Sequence, residues 1–166
     1  MDYRTLGEED AQALWRMMCA LDRETSFMMY EPGEREETSS PLTVQARIRG
    51  AVARGDFLLA AEMDGEIVGY LWAERGALRR AAHSAYIVVG VLQSARGKGI
   101  GTQLFARMEA WTLEAGVTRL ELTVECENEA ALRLYRKCGF ETEGLRKRSM
   151  LVNGAYVDEQ YMAKLL

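Results

Sequence analysis

A glycine-rich segment is the part of the sequence with the clearest chemistry. Residues Val89–Phe105 read VGVLQSARGKGIGTQLF, a β-branched run followed by a glycine loop and an apolar helical pattern. Three alternate glycines lie in the loop: Gly97, Gly99 and Gly101. Glycines allow successive backbone N–H groups to converge on an anion, and the positive end of a following helix adds to the attraction. Arg96 and Lys98 add positive charge, so we expect a pyrophosphate to bind here.

Two common phosphate-binding patterns do not fit this loop. A Walker A loop, G-x-x-x-x-G-K-(S or T), would need a glycine at Leu92 and a hydroxyl residue at Gly99. A dinucleotide fingerprint, G-x-G-x-x-G, would need its third glycine at Thr102. The pattern that fits is (Q or R)-x-x-G-x-(G or A), which runs from Arg96 to Gly101.

A second segment agrees with the loop. Residues Asn128–Phe140, NEAALRLYRKCGF, follow the pattern N-x-x-A-x-x-L-Y-x-x-x-G-F at every specified position. Asn128 is also a residue type that caps helices. Together the two motifs resemble the GCN5-related N-acetyltransferase (GNAT) family, which binds acetyl-coenzyme A. The order of predicted elements resembles that family over nearly the whole chain.

The resemblance implies an acetyl-coenzyme A site that needs no metal. In the family, the strand before the glycine loop leaves its neighbour and pairs with the pantetheine arm, and the backbone N–H at or beside Val91 is the expected oxyanion donor. Tyr135 matches the family's general acid, which protonates the departing thiolate. The cofactor-binding residues that the resemblance implies are Val89, Val91, Arg96, Gly97, Lys98, Gly99, Ile100, Gly101, Thr102, Asn128 and Tyr135.

The general base has no counterpart in the motifs. Many family members carry a glutamate on the strand before the loop, but the matching positions here hold no acid: Ser84, Tyr86 and Val88. Glu125, at the end of the next predicted strand, is the candidate catalytic base, with Glu127 and His83 behind it. A substrate that is already neutral, or water alone, is an equal alternative.

The expected acceptor is a primary amine of a small molecule, polyamine-like or otherwise cationic. The polar stretch Glu31–Ser40, EPGEREETSS, is predicted to be a loop, and its carboxylates could attract such a cation. Glu31 and Glu34 are the predicted substrate contacts, and a solvated loop is the alternative. Other functions remain open: acetylation of protein N-termini or ribosomal proteins, a coenzyme A sensor without catalysis, and a phosphate- or nucleotide-binding protein.

Composition narrows the class of protein. The chain has 166 residues, of which 48% are apolar and 28% charged, as in ordinary globular proteins. A net charge of −4 without a dense basic block argues against nucleic acid as a partner. No apolar run is long enough to span a membrane, and the start of the chain does not resemble a signal peptide, so we expect a cytoplasmic protein. Three cysteines and one histidine lack zinc spacing: Cys19, Cys126, Cys138 and His83.

Hydrophobic periodicity predicts a single domain over residues 1–166 with the order β, α, α, β, β, β, α, β, α, β, β. This order indicates an α+β fold, a mixed central sheet flanked by about four helices. The dipeptides Asp64-Gly65 and Asn153-Gly154 predict hairpin turns, and the first helix is expected to continue, with a break, toward Met29. A homodimer through the last strands or helix faces is expected from the resemblance.

Overall fold

A computed structural model describes all residues, 1–166, as seven strands and five α-helices around one sheet. The strands are β1 Asp2–Thr5, β2 Phe57–Met63, β3 Glu66–Arg75, β4 Ser84–Val91, β5 Arg119–Glu125, β6 Glu141–Val152 and β7 Ala155–Leu165. The helices are α1 Ala11–Glu24, α2 Glu34–Thr38, α3 Pro41–Arg54, α4 Ile100–Ala115 and α5 Glu129–Lys137. The α+β prediction, with a mixed sheet, is confirmed.

The sheet contains one parallel pair, and that pair is short. The strand order is β1-β2-β3-β4-β5-β7-β6, and all neighbours are antiparallel except β4 and β5. β4 pairs with β5 only over Ser84–Tyr86, although β4 stays paired with β3 as far as Val91. β5 likewise stays paired with β7 as far as Glu125. The two central strands therefore diverge beyond Tyr86 and open a cleft in the middle of the sheet.

Helices cover the two faces of the sheet unequally. α1 and α3 pack on the β2–β3 half of one face, in a core that includes Leu14, Ile48 and Trp72. α4 and α5 pack on the opposite face, in a larger core that includes Phe105 and Leu120. Alternate residues of each strand point to opposite faces. Because α1 and α3 lie on the β2–β3 half, the residues of β4, β5 and β7 that point to the first face are left uncovered.

Local signals in the sequence explain several element boundaries. The Ser40 hydroxyl accepts a hydrogen bond from the Thr43 N–H, and Pro41 occupies the first turn of α3. The Asn128 side chain accepts one from the Ala131 N–H at 3.2 Å, which caps α5. Asn153 and Gly154 have φ of 49° and 79°, the left-handed values that a tight hairpin turn between β6 and β7 requires.

The helix count differs from the prediction, which gave about four helices and a loop over Glu31–Ser40. This stretch contains α2, and α1 ends at Glu24 without continuing toward Met29. The cause is a buried ion pair: Arg35 of α2 contacts Asp22 of α1, with 2.5 Å between Nε and Oδ2. The pair fixes the highly charged segment against the core, although its composition suggests a solvated loop.

Two other predictions concern the whole chain. No helix in the structure is both long and apolar enough to cross a bilayer. β6 and β7 expose several large apolar side chains that a partner copy would cover: Leu145, Leu151, Tyr156 and Tyr161. The homodimer and the single-domain organisation stay predictions.

Candidate functional site

The glycine loop leads from β4 through a short 3-10 turn, Gln93–Ala95, into the N-terminus of α4. Gly97 and Gly99 have φ of +75° and +78°, a left-handed conformation that residues with a Cβ rarely adopt. Open space lies in front of both, because a Cβ built at either position meets no atom within 4 Å. The loop therefore presents its backbone, together with the first N–H groups of α4, to an anion.

Gly101 has a different role from the two loop glycines. It lies in the first turn of α4, where an added Cβ would be 2.7 Å from Cδ2 of Leu134 on α5. The absence of a side chain thus allows α4 and α5 to approach each other closely. This contact brings the second motif beside the first.

The cleft between β4 and β5 offers backbone donors. The Leu92 N–H donates to the Val68 carbonyl on β3 at 2.9 Å. Because N–H directions alternate along a strand in an antiparallel ladder, the N–H groups of Val89 and Val91 point away from β3, toward the cleft. The Arg96 guanidinium donates from Nε to the Val91 carbonyl at 3.0 Å, which attaches the glycine loop to the end of β4.

A cavity of about 380 Å³ connects the cleft with the glycine loop. It is lined by most of the predicted cofactor-binding residues: Val89, Val91, Arg96, Gly97, Gly99, Ile100, Gly101, Thr102 and Asn128. Lys98 and Tyr135 do not line it. The structure thus brings the two motifs to one cavity, and contact of these residues with a cofactor stays a prediction.

Part of the cavity wall was not predicted. Leu21 and Thr25, at the end of α1, and Phe27 and Met28, just after it, close the side opposite the glycine loop. Ala130, Ala131 and Leu134 complete the α5 side. The α5 residues lie inside the second motif and could have been found there. The α1 residues carry no motif, because only the packing of α1 on the sheet brings them to the cleft.

Tyr135 lies on α5 beneath the cleft. Its ring packs against Phe105 and Phe140, with centroid distances of 5.8 and 6.1 Å, and only 8% of the residue is exposed. Burial raises the pKa of this phenol above its usual value, and the nearby phenols of Tyr86 and Tyr70 raise it further. Tyr135 therefore keeps its proton throughout the neutral range.

A second cavity, of about 310 Å³, lies on the open face of the sheet. It shares three residues with the first cavity: Phe27, Met28 and Val89. Most of its wall is apolar or aromatic, including Met18, Trp72, Tyr86 and Met150. Four charged residues also line it: Arg35, Arg47, Glu74 and Glu159.

Comparison with known proteins identifies the family. Residues 15–140 match the model of the Acetyltransferase (GNAT) family. The chain belongs to this family. The L-amino acid N-acetyltransferase AaaT of Escherichia coli (strain K12) is 37% identical over 108 residues, which are 64% of this chain and 67% of AaaT. Against seven other curated relatives, the match spans between 25% and 70% of their length.

Solved structures of GNAT proteins resemble the whole chain. The ribosomal-protein-alanine N-acetyltransferase of Brucella melitensis has a TM-score of 0.88 and 27% identity, and the similarity covers 100% of both chains. YncA of Salmonella typhimurium, solved with its cofactor acetyl-CoA, has a TM-score of 0.87 and 19% identity, over 99% of this chain and 93% of YncA. The second likeness shows the fold.

Membership of the GNAT family makes the chain an acetyl-CoA-dependent N-acetyltransferase, and the first cavity suits acetyl-CoA. The open loop at Gly97 and Gly99 leaves room for a pyrophosphate. The outward N–H groups of Val89 and Val91 can pair with the amide groups of a pantetheine arm. The narrow cleft between β4 and β5 leads from the loop to the second cavity.

The predicted catalytic base and the predicted substrate contacts do not line the first cavity. Glu125 is buried at the end of β5, 5% exposed, and lines neither cavity. Burial, followed by the charges of Glu159 and Glu127, raises its pKa. Glu31 and Glu34 are exposed and also line neither cavity, and the Glu34 carboxylate accepts a hydrogen bond from the Glu31 N–H. The roles of Glu125, Glu31 and Glu34 stay predictions.

Proposed function

We propose that this GNAT enzyme acetylates the α-amino group of small amino acids with apolar side chains. The second cavity is the acceptor site in this proposal, because it meets the first cavity at Val89, where the acetyl group would lie. Its volume of about 310 Å³ is at the small end of the range for small-molecule sites. Its Met, Trp and Tyr walls suit an apolar side chain.

The choice of an amino acid as the acceptor rests on one observation, an arginine of the cavity that has no ionic partner. The Arg47 guanidinium lies over the Trp72 ring, 4.8 Å from its centroid, and forms none of the ion pairs in the structure. The Trp72 indole N–H is buried and has no hydrogen-bond partner. A carboxylate bound at this end of the cavity would pair with Arg47, and a charge-assisted hydrogen bond of this kind contributes roughly 1.5–3 kcal/mol.

The same charges disfavour a polyamine. A polyamine carries only positive groups, and the Arg47 guanidinium would repel the one nearest to it. Of the four charged residues of the cavity, Arg35, Glu74 and Glu159 each have an ionic partner, whereas Arg47 only stacks on Trp72. The similarity to AaaT, an L-amino acid N-acetyltransferase, supports the same acceptor class. The similarity to a ribosomal-protein-alanine N-acetyltransferase makes a protein N-terminus the second candidate.

In this mechanism, backbone N–H groups of Val89 and Val91 bind the pantetheine arm and polarise the thioester carbonyl. The acceptor amine attacks the carbonyl carbon directly, because a neutral, aligned amine needs no covalent enzyme intermediate. The Tyr135 hydroxyl then gives its proton to the departing thiolate. Burial raises the pKa of this phenol above its ordinary value, so the hydroxyl gives up its proton only as negative charge develops on the sulfur.

Thiol release from acetyl-CoA in the presence of a panel of amines tests the proposal. The panel contains apolar L-amino acids, the amides of the same amino acids, spermidine, and peptides with free N-termini. We expect turnover of the amino acids, and turnover reduced at least about tenfold for the amides, which lack the carboxylate. A preference for spermidine, for peptides or for the amides contradicts the proposal.

A matched pair of variants tests the carboxylate contact. Arg47→Met is expected to raise KM for the amino acid by about 10- to 100-fold, the factor that corresponds to one charge-assisted hydrogen bond. Arg49→Met is the control, since Arg49 lies on the same helix but pairs with Glu8 at the surface. KM for acetyl-CoA should not change in either variant. Equal KM values for the amino acid in the two variants would remove Arg47 from the acceptor site.

A further inference from the structure

Two glutamates oppose each other at the end of the β5–β7 ladder. Glu125 on β5 and Glu159 on β7 are direct register partners, and each is only 5% exposed. Direct partners in an antiparallel pair lie on the same face of the sheet, with Cβ atoms about 4.5–5.5 Å apart. The two carboxyl groups are therefore close neighbours on the open face of the sheet.

The pair has more negative charge than its surroundings balance. Glu125 Oε1 is buried and has no hydrogen-bond partner. Glu159 has one cationic neighbour, Arg146 on β6, whose Nη1 is 3.5 Å from Oε2 and whose side chain is 48% exposed. Burial and the charge of Glu159 both raise the pKa of Glu125. Arg146 thus forms an ion pair with Glu159 and none with Glu125.

Only one member of the pair reaches the acceptor cavity. Glu159 lines that cavity beside Thr123 and Met150, whereas Glu125 does not. Thr123 Oγ1 and the Tyr86 hydroxyl are 2.8 Å apart, so this hydrogen bond bridges β4 and β5 where they diverge. Glu159 thus faces the space that the attacking amine would occupy.

Each of the other charged groups of the cavity already contacts another side chain of the protein. Arg35 is paired with Asp22, and Arg47 stacks on Trp72. Glu74 on β3 is about half exposed and lies 3.5 Å from Arg54. The remaining titratable groups of the wall are phenols: Tyr30, Tyr70 and Tyr86. Glu159 is the buried carboxylate among them.

We propose that Glu159 is the catalytic base of the acetyl transfer, with the buried carboxyl group of Glu125 as its direct neighbour on β5. The carboxylate of Glu159 takes one proton from the acceptor ammonium, and the freed nitrogen lone pair forms the bond to the acetyl carbon. Tyr135 gives its proton to the departing thiolate, and the second proton that the nitrogen of the tetrahedral intermediate loses restores the Tyr135 hydroxyl. The first proton leaves Glu159 for solvent. The proposal rests on the acetyl transfer of the family and not on the choice of an amino acid as acceptor.

The pH dependence of kcat separates this role from a structural one. Each variant is tested with the best acceptor of the amine panel. Glu159→Gln should lower kcat about 10- to 100-fold near pH 7, since a general base typically contributes at least that factor. The deficit should shrink as the pH approaches the pKa of the acceptor, because bulk solvent then supplies the neutral amine.

Matched variants show whether a fall in kcat comes only from a loss of structure. Glu141→Gln removes an exposed glutamate of β6 that lies outside both cavities and should leave the profile unchanged. Glu159→Asp keeps a carboxylate and should recover part of kcat. The proposal is overturned if Glu159→Gln keeps kcat within about threefold of the wild-type value at every pH. It is also overturned if its loss is the same at every pH, or if Glu74→Gln reproduces the pH-dependent loss.

An experiment without acceptor keeps this proposal distinct from the amino-acid proposal. Carbon-13 NMR of the glutamate carboxyl groups in the coenzyme A complex follows their titration directly. We expect the Glu125 titration to move to lower pH in Glu159→Gln, because the charge of Glu159 raises the pKa of Glu125. An unchanged Glu125 titration overturns the close approach of the two carboxyl groups, even if an amino acid proves to be the acceptor. A shifted titration supports it, even if every amine in the panel fails.

Discussion

Tyr135, the proposed general acid, is held in place by its ring. The ring lies edge-on to Phe105, at an interplanar angle of 70°, and contacts Phe140 as well. Both contacts belong to the core beneath the sheet, so they fix the position of the phenol independently of any ligand. Since burial raises its pKa, the phenol remains a proton donor at every pH at which the enzyme would work.

Removal of this hydroxyl should affect the chemical step and little else. We expect Tyr135→Phe to lower kcat at least about tenfold, while KM for acetyl-CoA stays nearly constant because Tyr135 does not line the first cavity. Thermal unfolding should stay close to wild type, since the aromatic contacts are kept. Tyr161→Phe, at an exposed tyrosine of β7, is the control. An unchanged kcat in Tyr135→Phe would remove the residue from catalysis.

Some candidate site residues leave a pattern in the sequence and others do not, for physical reasons. The loop glycines and Asn128 have local requirements, a left-handed backbone or a helix cap, and such requirements leave a pattern in the sequence. Glu159 has no such pattern: its burial and its neighbour Glu125 depend on the register of β5 with β7. Arg47 depends in the same way on the packing of α3 against β3, which no short motif encodes.

At the scale of elements, a buried ion pair holds α2 against α1. Asp22 is fully buried and receives two hydrogen bonds from the Arg35 guanidinium, at 2.5 and 3.2 Å. The same guanidinium lies 4.0 Å from the centroid of the Tyr30 ring, and both residues line the second cavity. The pair therefore connects the stability of α1 and α2 to the shape of this cavity.

Removal of one partner should destabilise the protein strongly. Asp22→Ala leaves the Arg35 charge buried, so we expect the free energy of unfolding to fall by about 3–5 kcal/mol. The double variant Asp22→Leu/Arg35→Met removes both charges and should be closer to wild type in urea denaturation. Arg23→Ala breaks the neighbouring pair with Glu36, in which the arginine is largely exposed, and should cost much less than Asp22→Ala. Similar costs for Asp22→Ala and Arg23→Ala would contradict this account.

The order of the helices and strands could be predicted from the sequence more completely than the way they pack together. The β-branched strand before the loop, the amphipathic α4 and the Asn153-Gly154 hairpin all follow from local periodicity or turn chemistry. The short pairing of β4 with β5 does not, because strand register is set by contacts between distant segments. α2 was missed for a similar reason, since only the buried contact of Arg35 with Asp22 explains a helix in so charged a segment.

At the scale of the whole molecule, the two cavities meet inside one sheet. Phe27, Met28 and Val89 line both, so two ligands would lie against each other at the divergence of β4 and β5. The three cysteines lie outside both cavities. Burial raises the pKa of Cys19 to about 11, and it also raises those of Cys126 and Cys138. None of these thiols is suited to carry an acetyl group between the ligands.

This arrangement predicts sequential kinetics. Because both ligands must be bound together for transfer, double-reciprocal plots at several acetyl-CoA concentrations should intersect and should not be parallel. Intact-mass analysis after incubation with acetyl-CoA alone should show no added acetyl group on the protein. Replacement of Cys126 and of Cys138 by alanine should leave kcat within about threefold, with Tyr135→Phe as the inactive reference. Parallel lines together with an acetylated cysteine would show a covalent intermediate, and the second cavity would then bind its ligand only after coenzyme A had left.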